Sequence, residues 1–186
     1  MNKYYVKIAA FVGTVIVAIA LLGGVVVSAS YNMVEYSVPA GDTSFKSYMN
    51  YKAITDKESP QYKIQQQATT DDDGLRVIGD YYIVAMGSYY VSEIGDKFLI
   101  YLDTGEKIKV IAGDIKANKH TDDTNRYKNV YDMDGNFIGK NVLEFIVDTS
   151  VLDEKAKNWG NISAIDGFEG SISAIYKLEE ADYERE

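Results

Sequence analysis

Cysteine is absent from this sequence, and histidine and tryptophan each occur once among 186 residues. Without cysteine there is no disulfide, no thiol nucleophile and no thiolate metal site. A lone histidine, His120, also excludes the two- or three-histidine sets of zinc hydrolases, so neither a metal nor another cofactor is expected. Positive charge is scarce as well: 19 Lys and Arg stand against 28 Asp and Glu, a net charge of −9. Such a surface repels phosphate backbones, which makes nucleic acid an unsuitable partner. Only two prolines occur, Pro39 and Pro60.

What the sequence does hold is one long uncharged run. Residues Ile8–Val27, "IAAFVGTVIVAIALLGGVVV", carry no charge and follow Lys3 and Lys7. As a helix, twenty residues would span roughly 30 Å, the thickness of the hydrocarbon core of a bilayer. The lysines on one side and Glu35 and Asp42 on the other place the N-terminus inside and the rest of the chain outside the cell. Val27-Ser28-Ala29 also suits a signal-peptide cleavage site. The run exceeds the usual ~7–15 apolar residues of a signal core, which favours a retained single-pass anchor over secretion after cleavage. Residues 1–30 hold two lysines and no acid, leaving 17 basic and 28 acidic residues beyond them, net −11.

The remainder divides into a juxtamembrane stalk with a short helix over 31–74, a β domain over 75–178 and a charged tail over 179–186. Ser59-Pro60 opens the helix "SPQYKIQQQA", with serine as cap and proline at its first position. Strand patterns follow in "YYIVAMG" (81–87), "KFLIYL" (97–102) and "KIKVIAG" (107–113), the last two joined by the hairpin turn Asp103-Thr104-Gly105-Glu106. A second hairpin is expected around "DMDGNFIG" (132–139), leading into "NVLEFIV" (141–147). A helix, "TSVLDEKAKNWG", then has Ser150 and Asp153 in a capping-box spacing and Gly160 at its stop, before a last strand, "GSISAIYKL" (170–178).

Several motifs offer chemistry and yield to simpler readings. Asp103-Thr104-Gly105 is the aspartic-protease triplet, but that mechanism needs two such carboxylates and only one copy is present. Asp132-Met133-Asp134-Gly135 lacks acids at the first and last positions of a calcium loop. Tyr89 and Tyr90, beside an apolar strand, suit core packing or a stacking platform for sugars. Asp114 ends the strand 107–113 and begins a polar stretch containing Lys116 and His120.

The order of elements resembles the double-psi β-barrel superfamily, which includes rare-lipoprotein-A-like, expansin-like and barwin-like proteins and the three-Asp domains of cell-wall enzymes. The resemblance rests on Ile94-Gly95-Asp96-Lys97-Phe98, on a strand ending at Asp114, and on Asp148-Thr149-Ser150 opening a helix that closes at Trp159-Gly160 before a final strand. The sequence departs from that pattern at Asp96, at Ile115-Lys116 and at Thr149. The resemblance implies a mainly β fold, a six-stranded double-psi-like barrel with one or two short helices, behind a single N-terminal transmembrane helix. It implies a wall-facing, membrane-anchored module that binds cell-wall glycan or a partner. Its alternative is a glycan-cleaving enzyme with Asp114 and Asp148 as catalytic carboxylates. The binding candidates Lys116, His120, Tyr89 and Tyr90 come from the residues themselves, and His120 matches no histidine of the family. Glycosidic hydrolysis uses two carboxylates, whereas lytic cleavage can run on a single acid/base.

Overall fold

A computed structural model describes residues 14–17 and 29–180. Its twelve strands are β1 (Thr14–Val17), β2 (Ala29–Tyr36), β3 (Ser47–Asn50), β4 (Thr69–Thr70), β5 (Arg76–Ile78), β6 (Tyr81–Gly87), β7 (Lys97–Leu102), β8 (Lys107–Lys116), β9 (Lys128–Tyr131), β10 (Phe137–Asn141), β11 (Glu144–Val147) and β12 (Ile172–Glu180). Two short helices, α1 (Pro60–Gln65) and α2 (Glu154–Trp159), accompany them. The fold is therefore mainly β, as the strand patterns imply.

Ten strands form one sheet with the path β1-β2-β12-β7-β8-β6-β11-β3, and β9 and β10 form a separate hairpin. The expected closed barrel is not formed: the path has two free ends. Its two sides do approach each other. Thr43, just before β3, accepts the Ile172 N–H at 2.9 Å and donates back to the Ile172 carbonyl at 3.4 Å. These bonds run through one threonine side chain, so no backbone ladder joins β3 to β12. The stretch read as a stalk is built into this sheet, with β2 antiparallel to β12 and β3 parallel to β11.

The anchor expected over 8–27 lies outside the described residues except for Thr14–Val17, which is a strand paired with 29–32. Among the described residues no helix is long and apolar enough to cross a membrane. Residues 181–186 of the tail also lie outside, whereas Glu179 and Glu180 end β12.

The local signals act largely as their chemistry dictates. Ser59 caps α1 through the Tyr62 N–H, with Pro60 at the first position. Helix α2 is capped by Asp153 instead of Ser150, because Ser150 is held in a tight turn by Asp148 and cannot reach the helix start. Gly160 closes α2 in the left-handed conformation. Asp103 accepts the Ser171 N–H at 2.9 Å, which ties the β7–β8 hairpin to the start of β12.

The two faces of the central sheet bury different clusters. Val84, Met86, Val110, Ala112, Phe145 and Val147 join the larger core. Alternate residues Ile83, Ile111 and Ile146 pack with Ile64 of α1 on the opposite face. Asp96 holds the turn before β7: its carboxylate accepts the Ser92 and Glu93 N–H groups and pairs with Lys177 of β12 at 2.9 Å. Burial pushes its pKa up, but the Lys177 ammonium and these N–H groups outweigh burial and hold it below the usual carboxylate range.

The alternation of faces breaks at one position in β8. In the parallel β6–β8 pair, Val84 faces Ala112 but Ala85 faces Asp114, so Gly113 is the extra residue of a bulge. Strand β8 thus continues past Asp114 to Lys116 instead of ending at 113. A Cβ on Gly113 would fall well inside contact with Ile83 Cγ2 and 3.1 Å from Ile146 Cδ1. Replacing Gly113 with alanine is expected to lower unfolding stability by about 1–3 kcal/mol, read from urea midpoints, by overpacking this junction.

Candidate functional site

The bulge re-aims Asp114. Without it, Gly113 would occupy the face of Ile111, two residues on, and Asp114 would enter the larger core. With it, Asp114 stands in register with Ala85, Ala85 with Glu144, and Glu144 with Ser47. These four residues form one row across β8, β6, β11 and β3, on the face that α1 covers only in part.

The uncovered part of that face is the floor of a cavity of about 730 Å³, lined by Asp114, Ala85, Glu144 and Ser47 together with Lys116 and His120. Residues 128–131 of β9 form another wall. From strand spacing, the Asp114 and Glu144 backbones lie about 10 Å apart, with only the methyl of Ala85 between them. Gln61 of α1 donates to Asp114 Oδ1 at 3.3 Å. Asn141 joins the row to the hairpin, accepting the Ser47 N–H at 3.2 Å through its side chain.

Lys116 is 7% exposed, and among the described residues its ammonium makes a single hydrogen bond, 3.4 Å to the Asn141 carbonyl. Burial depresses its pKa to about 8; Glu144 is the acid whose charge opposes that shift, and Lys128 adds to it. Glu144, and not Asp114, is therefore the carboxylate that bears on Lys116. Among the described residues none of Asp114, Lys116, Lys128 and Glu144 has an oppositely charged side chain within 4.0 Å.

Lys46 is buried too, and differs in its bonding. It is fully buried, and burial likewise lowers its pKa to about 8. Its ammonium donates to the Ser44 carbonyl at 3.0 Å, Ser163 Oγ at 3.1 Å and the Gly170 carbonyl at 2.8 Å. All three donors are used, so Lys46 is a structural cross-link. Lys116 keeps donors for something else.

The other sequence-predicted residues scatter. Asp148 does not line this cavity: it lies four residues, about 13 Å of strand, beyond Glu144. Its carboxylate accepts the Ser150 hydroxyl and N–H, which hold its pKa below the usual range. It is the acid of a turn. His120 reaches the cavity rim from a short 3₁₀ turn, Asn118–His120, and is exposed. Tyr89 packs edge-on against Tyr36 and Tyr90, Tyr90 lies tilted against Tyr36, and both bond to Ser37, away from the cavity. The aromatic side chains lining the site are Phe45 and Tyr131, the latter half exposed and edge-on to Phe137 at 5.9 Å. Glu144, Lys128 and Tyr131 are among the residues that sequence reasoning missed. The visible signal for Glu144 was a lone charge inside the apolar run "NVLEFIV".

No cluster of three or more metal-ligating side chains occurs among the described residues. Comparison of the chain with family models, with curated proteins and with solved structures finds no match.

The two lysines generate opposite expectations. Lys116 is charged in folded and unfolded chains alike below pH 8, so the full penalty of burying its charge applies there. That penalty fades as pH rises from about 8 to the ordinary lysine value of 10.5. Lys116→Met should therefore raise stability by up to about 3 kcal/mol at pH 7, with the gain shrinking across that window. Lys46→Met should instead destabilise at pH 7 by about 1–3 kcal/mol, because it strands two buried carbonyls. Urea unfolding at pH 7 and pH 10 checks both.

Proposed function

We propose that this chain is an extracytoplasmic, membrane-anchored module whose cavity binds cell-wall glycan. The observation that carries the reading is the row Asp114–Ala85–Glu144–Ser47 flooring a cavity with Tyr131 on its rim. A sugar ring offers hydroxyl donors and acceptors around its edge and an apolar face above. Asp114 and Glu144 supply acceptors and Lys116 supplies donors, while the half-exposed Tyr131 ring suits the apolar face. Ala85 leaves room between the two acids. The anchor and outward orientation rest on the uncharged run 8–27 and on Lys3 and Lys7. The kinship with double-psi barrels rests on the order of the motifs; the parallel pairs β6–β8 and β3–β11 and the approach of Thr43 to β12 are consistent with an incompletely closed relative.

A second reading, glycan cleavage, is favoured by one observation: two carboxylates share the cavity floor without ion-pair partners among the described residues. Direct hydrolysis of a glycosidic bond needs such a pair. The acids involved would be Asp114 and Glu144.

Full-length protein in detergent should co-sediment with purified peptidoglycan. The Asp114→Asn, Glu144→Gln double variant should bind about tenfold more weakly, a change of about 1.4 kcal/mol. Absence of co-sedimentation, or equal binding by both proteins, would refute the glycan reading. Soluble fragments released by the parent protein and lost with Glu144→Gln would establish cleavage.

A further inference from the structure

Resting on that glycan reading, we infer that Lys116, assisted by Lys128, recognises a carboxylate carried by the bound glycan, so that the site is specific for acidic over neutral polymer.

The geometry around Lys116 is that of a recognition group awaiting its counter-ion. The side chain is nine-tenths buried, yet it lines the cavity. Of its three donors, one makes a 3.4 Å bond to the Asn141 carbonyl. Buried charges in proteins are normally paired and hydrogen-bonded. The fully buried Lys46 obeys that rule with three bonds, and Lys116 does not. A methionine would fill the same space without the burial penalty, and one long bond to the Asn141 carbonyl does not offset that penalty.

The cavity is also polarised. Lys116 is bonded to β10, and Asn141 of β10 stands in register with Lys128 of β9. The two lysines therefore meet at the hairpin side, close enough for Lys128 to oppose the charge of Lys116. Asp114 and Glu144 lie along the floor row. A ligand with a carboxylate at one end and hydroxyls at the other matches both poles, with the carboxylate between the lysines and the hydroxyls on the acids. A net charge of −9 gives the protein no general attraction for an acidic polymer, so such binding has to be local.

The test compares native, teichoic-acid-free peptidoglycan with the same material after its carboxylates are converted to neutral methylamides. Removing teichoic acid takes phosphate out of the comparison. The full-length protein should bind the neutralised polymer about tenfold more weakly. Lys116→Met should bind both polymers alike, at that weaker level. Lys128→Met, an exposed position where folding is not at risk, should reduce the preference in the same direction. Binding to native polymer should also weaken as pH rises through about 8, where Lys116 of the folded protein loses its proton, a step absent from Lys116→Met. Glu144 of β11, Lys128 and Tyr131 of β9, Asp114 of β8 and His120 of the following turn are the other ionisable groups lining the same cavity.

Equal binding of both polymers by the parent protein would overturn the carboxylate inference and leave the glycan reading standing. So would a preference that survives in both lysine variants. Binding to neither polymer would remove the glycan reading and this inference with it.

Discussion

The arrangement of the site depends on a steric constraint at Gly113. Between Ile83 and Ile146 there is no free space for a Cβ, so glycine lets β8 pass there beside β6 without displacing either side chain. The chain accommodates the extra residue as a bulge, and the bulge inverts the alternation of every side chain after it. Asp114 and Lys116 are thereby moved from the buried core face to the face that α1 leaves open. Without that one-residue shift two charges would be driven into the larger core, and the row shared by Asp114, Ala85 and Glu144 would not exist.

The same face shows how the molecule separates structural charge from available charge. Lys46 and Asp96 are both buried ions, and each is saturated. Lys46 is bonded to two carbonyls and a hydroxyl; Asp96 is bonded to a lysine, two N–H groups and a hydroxyl. They cross-link loops to strands at the two sides of the sheet that Thr43 brings together. Asp114, Glu144, Lys116 and Lys128 surround a cavity without forming ion pairs among themselves. Burial with full hydrogen bonding marks a strut. Burial beside empty space with donors unused marks a site.

Much of the local structure was legible in the residues. The hairpin over 103–106 and the turn around Asp132–Gly135 follow from Asp and Gly chemistry. The start of α1 at Ser59-Pro60 and the stop of α2 at Gly160 follow from capping. The apolar strand 81–87 was visible as a run, and the mainly β class followed from it and its neighbours. These features depend on groups within a few residues of one another, and their physics is contained in the sequence window.

The features that failed to show were those set by distant partners. Asp148 and Glu144 are both acids at or near the same strand, and nothing local says which one faces a cavity. The answer lies in pairing with Ala85 of β6 and Ser47 of β3, residues far away in the chain. Residues 31–50 carry no strong periodicity, yet 31–36 and 47–50 become strands because β12 and β11 offer unpaired edges to which they add. The two sides of the sheet meet through one threonine side chain where a backbone ladder was expected, so the sheet stays open. Sequence by itself determined the turns, the caps, the strand-rich class and the acidic surface, because these arise from short-range sterics, hydrogen bonding and composition. Tertiary structure alone decided the register at Gly113, the openness of the sheet and the choice of Glu144 as companion to Asp114, because each depends on which distant backbone supplies the partner.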